Sequence, residues 1–183
     1  MISPAVPGRF IGETVTLLCD VINYATSANI PVAILFLDRE KAFDCVDWGL
    51  VRSILVQMGF GPSFVGWVDL FYSGLQSAVK VNGYLTHFFR LSRGVHQGCP
   101  LLLLLYVLYV EVLACSFRAN PRIRGLLLPR ASYPLSVVSQ YANDTSLVVT
   151  TTDAIKAGFD TYAVFASGPH LNQFKSKGLC PGS

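Results

Sequence analysis

Charge is scarce in this chain. Of 183 residues, 14 are Lys or Arg and 11 are Asp or Glu, while 52% are apolar. With so little charge, either partner domains cover its faces or a membrane does. The net charge of +3 is mild, compatible with nucleic acid without demanding it. Histidine is also rare: His96 and His170 stand singly in loops, with no partner at metal-ligand spacing, and read as ordinary polar residues. The five cysteines are odd in number and scattered, and form no C-x-x-C pair, which excludes a disulfide framework and a zinc site and points to reduced intracellular thiols. Cys99 lies beside glycines at a helix start, yet no base or orienting acid can be placed next to it, which argues against nucleophilic catalysis. No repeat, low-complexity tract or amino-terminal signal sequence is present, so an intracellular location, cytoplasmic or nuclear, is expected.

Only one long hydrophobic run occurs, PLLLLLYVLYVEVLACSF at 100–117. It is about as long as the shortest membrane-spanning helix, but Glu111 interrupts it and no basic cluster precedes it. A buried core helix is the expectation, with a small membrane protein built around this run as the alternative.

By length the chain is one domain, large enough to bury a core unaided. Apolar residues at Val15, Leu18, Val21 and Ile22 mark a helix over 13–29, ended by Pro31. VAILFL at 32–37 reads as a strand buried on both faces, terminated by Asp38. Asp47 can cap a helix over 48–58 that Gly59 closes, and Pro62 opens another over 63–72, whose Phe64, Trp67, Val68 and Phe71 are expected in the core. An alternating segment at 76–81, the turn Asn82-Gly83 and a return at 86–91 suggest a hairpin. The glycine-rich loop 94–100 allows close backbone approach and feeds the apolar helix. A basic connector at 118–130 precedes a second hairpin, SQYANDTSLVVT at 139–150, then a helix over 153–167 and a tail. The order implies an α+β fold, a mostly antiparallel sheet with helices packed on one face.

Two acidic positions stand at strand ends: Asp38, and Asp144 at the tip of the second hairpin. Such carboxylates can hold a divalent cation against a phosphate, provided the fold brings them together.

These segments closely resemble the palm of a reverse transcriptase from a non-LTR, LINE-type retrotransposon. VPGRFIGETV at 6–15 resembles the lead-in, FLDREKAFDCVDW at 36–48 motif A, RGVHQGCPL at 93–101 motif B, SQYANDTSL at 139–147 motif C and SGPHLNQFKSKG at 167–178 motif D. Five motifs in order are specific where any one alone is weak. The resemblance implies that 1–183 is a partial reverse transcriptase domain, a palm with fingers and thumb largely missing. It implies a two-metal Mg2+ site and, as partners, an RNA template, a DNA primer and deoxynucleotides. Asp38 would be the motif A metal ligand. Phe43 would crowd the sugar 2′-hydroxyl, Gln97, Gly98 and Pro100 would line the nucleotide and template side, and Lys175 would lie near the triphosphate.

The departure is in motif C. Where the family has two adjacent aspartates, this chain has Asn143 and Asp144, so the stricter metal ligand is an amide. Asp144 matches the second aspartate and remains a candidate ligand. Because neighbouring strand residues face opposite ways, it is not expected to replace the charge that Asn143 lacks. Leu102 and Leu103 replace a serine and a proline, and Pro169 stands at a step usually free of proline. The resulting expectation is an RNA-directed DNA polymerase palm of impaired activity, with a non-catalytic nucleic-acid-binding relic as the alternative. Arg90, Arg93, Arg118, Arg122, Arg124 and Arg130 are candidates for touching phosphates, or a solvated face.

Overall fold

The computed structural model describes residues 11–39, 41–95, 101–126, 138–141, 144–165 and 176–180. They fall into two compact units: Met1–Ala42 with Val110–Ser183, and Phe43–Tyr109.

The first unit opens with α1, Ile11–Ser27. Asparagine, not Pro31, ends this helix. Asn29 takes φ 53, its N–H donates to the Thr26 carbonyl at 3.3 Å, and Ile30 N–H reaches back to Ala25 at 2.9 Å. That is a Schellman motif, with Asn in the left-handed position that glycine usually fills. Strand β1, Ala33–Asp38, follows. Its partners come from much later in the chain, and all pairings are antiparallel: β7, Asp144–Val149, on one side and the short β8, Lys177–Leu179, on the other. Strand β6, Val138–Tyr141, lies outside β7, giving the order β6-β7-β1-β8.

Strand alternation sorts this sheet into two faces. On one, Ala33, Leu35 and Leu37 of β1 join Leu147 and Val149 of β7. They pack against Leu113, Ala114 and Phe117 of α4, Leu102–Ala119, and against Ala154, Ala157 and Tyr162 of α5, Thr152–Phe165. Gly158 lets α5 lie close: a Cβ there would stand 2.8 Å from a Leu147 methyl. On the other face, Ile34 and Val148 pack with Val21 and Ala25 of α1, while Phe36, farther along β1, is 37% exposed.

The helix α4 is therefore a core element. Leu105, Tyr106, Tyr109, Val110, Leu113, Ala114 and Phe117 are all buried, and among the described residues no helix is long and apolar enough to cross a membrane. The described part of the 100–117 run is thus packed as core, as expected.

In the second unit, Asp47 caps α2, Trp48–Gln57, accepting from Leu50 N–H at 2.7 Å, and Gly59 at φ 80 closes it. The next helix, α3, is Pro62–Tyr72. Here one expectation is overturned: the buried side is Val65, Val68 and Tyr72, while Phe64, Trp67 and Phe71 face outward, Trp67 at 62% exposure. Two apolar stripes run along this short helix, one residue apart, and periodicity shows that stripes exist without showing which one is covered.

The first hairpin comprises β2, Gln76–Ser77, β3, Lys80–Val81, β4, Tyr84–Leu85, and β5, Phe89–Arg90. Asn82 at φ 49 and Gly83 at φ 89 make its turn, both in the left-handed region that a type I′ turn requires. Lys80 pairs with Leu85 but Ser77 with Phe89, so the return strand carries one extra residue and bulges around His87 and Phe88.

Candidate active site

Three strands position the first acid. Asp38 is the last residue of β1, half-buried, and its backbone N–H donates to Ser176 Oγ at 3.2 Å. Across the other edge, the β1·β7 register pairs Asp38 directly with Asp144, which is exposed and opens β7. The same residue is paired with Tyr141 on β6.

Directly opposed residues of an antiparallel pair point to the same side, with Cβ atoms about 4.5–5.5 Å apart. Asp38 and Asp144 thus share the face that carries Ile34 and Val148, not the one packed on α4 and α5. The core determines this outcome. With Leu35 and Leu147 paired on the face packed by α4 and α5, the pairs that alternate with them take the opposite face, and a one-residue slip of β1 against β7 would part the two acids.

Asp144 therefore shares a face of the sheet with Asp38. Of the remaining site candidates, Asn143, Gln97, Gly98, Pro100 and Lys175 lie outside the described residues, and Phe43 belongs to the second unit, half-buried.

Two like charges directly opposed on a sheet destabilise it unless a counter-charge comes between them. The donors are hard carboxylate oxygens, half open to solvent. That suits Mg2+, which keeps several waters and takes one or two carboxylates plus substrate phosphates. The residues present therefore fit a divalent cation. Among the described residues no group of three or more possible ligands exists.

The arginines divide. Arg118 is bonded to Glu111 at 2.7 Å, and Arg122 to Asp153 at 2.7 Å with Asp160 at 3.7 Å, so both tie the connector to its own unit. The hydrogen bond from Arg122 holds the Asp153 carboxyl below the usual carboxylate range. Arg90 and Arg93 make no such pair among the described residues. They line a hollow of about 370 Å3 with Ser77, Ser92, Phe89 and Asp44. Sequence reasoning missed β8 altogether, and three residues in a polar tail carry no periodicity that could have revealed it.

The family model for Reverse transcriptase (RNA-dependent DNA polymerase) matches residues 9–179. The Transposon TX1 uncharacterized 149 kDa protein of Xenopus laevis is 38% identical over 183 residues, covering 99% of this chain and 14% of that protein. The chain therefore spans only a small part of that relative. Among solved structures, apo telomerase from Candida tropicalis truncated from its C-terminal domain matches with a TM-score of 0.63 at 14% identity, over 99% of this chain and 36% of that one. At that identity the likeness concerns the fold alone.

Proposed function

Because the chain belongs to the reverse transcriptase (RNA-dependent DNA polymerase) family, we propose that it is the palm of an RNA-directed DNA polymerase of a transposon-type protein, its cation site weakened by Asn143. The observation that carries this reading is the register that opposes Asp38 to Asp144 on one face of the sheet.

In this reading Asp38 and Asp144 would hold Mg2+. Bound there, divalent cations supply charge stabilisation to the attacking and leaving oxygens of phosphoryl transfer. The chain's own residues do the rest. Asp38, anchored through its N–H to Ser176, fixes where the negative charge stands. By the family resemblance, Phe43 would set the choice of sugar, Gln97, Gly98 and Pro100 would serve the nucleotide and template side, and Lys175 would meet the triphosphate. Asn143 offers a neutral oxygen in place of a charge, so the site attracts cations less strongly.

Titration with Mn2+, read by its paramagnetism, tests the site. The unaltered chain is expected to bind, and Asp38→Asn and Asp144→Asn each to weaken binding about tenfold or more, since each removes a unit charge at contact distance. Equal affinity in all three proteins would sink the reading.

A second reading, a palm that grips nucleic acid without extending it, draws on Arg90 and Arg93 at their hollow. Binding of an RNA/DNA hybrid should then weaken steeply with salt, and Arg93→Gln should flatten the log–log slope by about 0.7–0.9. An unchanged slope would remove Arg93 from the contact.

A further inference from the structure

Within the second unit, the segment 43–48 is held from more than one direction. Val95 N–H donates to the Phe43 carbonyl at 2.9 Å and Gly94 N–H to the Val46 carbonyl at 2.8 Å. The Trp48 indole N–H donates back to the Gly94 carbonyl at 2.7 Å. Gly94 has φ +96, and a Cβ on it would stand 3.0 Å from the Asp44 carbonyl oxygen, so a side chain here would push the two backbones apart. These bonds fix the main chain of Phe43. They leave its ring free to turn about χ1 and χ2.

The ring is fixed from another element. Tyr106 lies with its ring centroid 4.4 Å from that of Phe43, the planes tilted by 42°. Tyr106 is 2% exposed, and Leu105 and Tyr109, also buried, flank it on α4. In a close-packed interior a side chain buried to that extent has little room to give way. Phe43, by contrast, is half-buried.

We infer that Tyr106 is a positioning residue for sugar selection, acting through Phe43 by holding its ring as an unyielding wall. The inference rests on the polymerase reading, in which Phe43 meets the sugar. Excluding one hydroxyl by crowding needs a surface that does not yield, and a ring able to swing by a fraction of a rotamer would make that room. Tyr106 removes that freedom. Its hydroxyl is not needed for this; its ring is.

The test is equilibrium binding of deoxyadenosine triphosphate and adenosine triphosphate, with Mg2+, to the unaltered chain, Tyr106→Phe and Tyr106→Leu. Tyr106→Phe should keep the deoxy preference within about twofold, and Tyr106→Leu should lower it about tenfold, by tighter ribonucleotide binding with deoxynucleotide affinity held. If a thermal melt shows that Tyr106→Leu does not fold, Tyr106→Met, also ringless, takes its place. An unchanged ratio in a folded ringless variant overturns the inference, and so does an equal loss of both affinities, which would mark Tyr106 as packing alone. If the unaltered chain binds neither triphosphate, the polymerase reading fails and takes the inference with it. The two failures are therefore distinct.

Discussion

Primer extension on an RNA template by Asn143→Asp is expected to exceed that of the unaltered chain by about 10²- to 10³-fold. A unit charge about 4 Å from a cation is worth about 4 kcal/mol per ionic charge at an effective dielectric of 20, and each 1.36 kcal/mol retained in the transition state is a factor of ten. Even if most of that is offset by desolvating the new carboxylate, two decades remain. The register sharpens the expectation. Asp144 already stands opposite Asp38, so the substitution adds negative charge to a chain that brings two acids together instead of starting from none. Steady-state incorporation of a labelled deoxynucleotide measures it. Equal rates from the two proteins would show that Asn143 is not what limits this chain, and robust synthesis by the unaltered protein would refute impairment altogether.

Phe117→Ala is expected to lower stability by about 3–5 kcal/mol, the usual cost of emptying a buried aromatic site. Phe117 is 0% exposed, on the α4 stretch that covers the β1 and β7 core, beside Leu113, Leu147 and Tyr162. The cavity would open in the layer that fixes the register of the two site strands. For a domain of this size, such a loss corresponds to a fall in Tm of about 6–20 °C. Thermal melting by circular dichroism reads it, and Trp67→Ala on the exposed side of α3 is the matched control, expected to shift Tm little. Equal shifts would mean that the buried and exposed aromatics have been assigned the wrong way round.

The residues differ in how openly the sequence announced their place. The strand at 32–37 was legible because a buried strand carries an unbroken branched run, and Asp47, Gly59 and Asn82-Gly83 declared their caps and turn through local backbone chemistry that needs no tertiary partner. The two acids were legible as strand ends, but not the fact that they oppose one another. Pairing is set by Leu35 meeting Leu147, a contact over more than a hundred residues that no window reveals. The aromatics of α3 were misassigned for the complementary reason. Both stripes are apolar, and only the packing of the helix decides between them. Asn29 ended α1 where Pro31 was expected to, a local signal present in the chain but outranked by a louder one.

Asp38 has its outer neighbour in Ser176, 138 positions later, and its inner one in Asp144. During synthesis at about 5–20 residues per second, the strand ending at Asp38 therefore emerges with both edges bare and waits roughly 7–28 s for Ser176. Over that interval the nascent chain exposes an apolar ribbon able to pair with any other, a hazard that natural sheets otherwise take pains to avoid. Delivery of β7 thus closes the acidic pair first, and only the arrival of Ser176 covers the remaining edge.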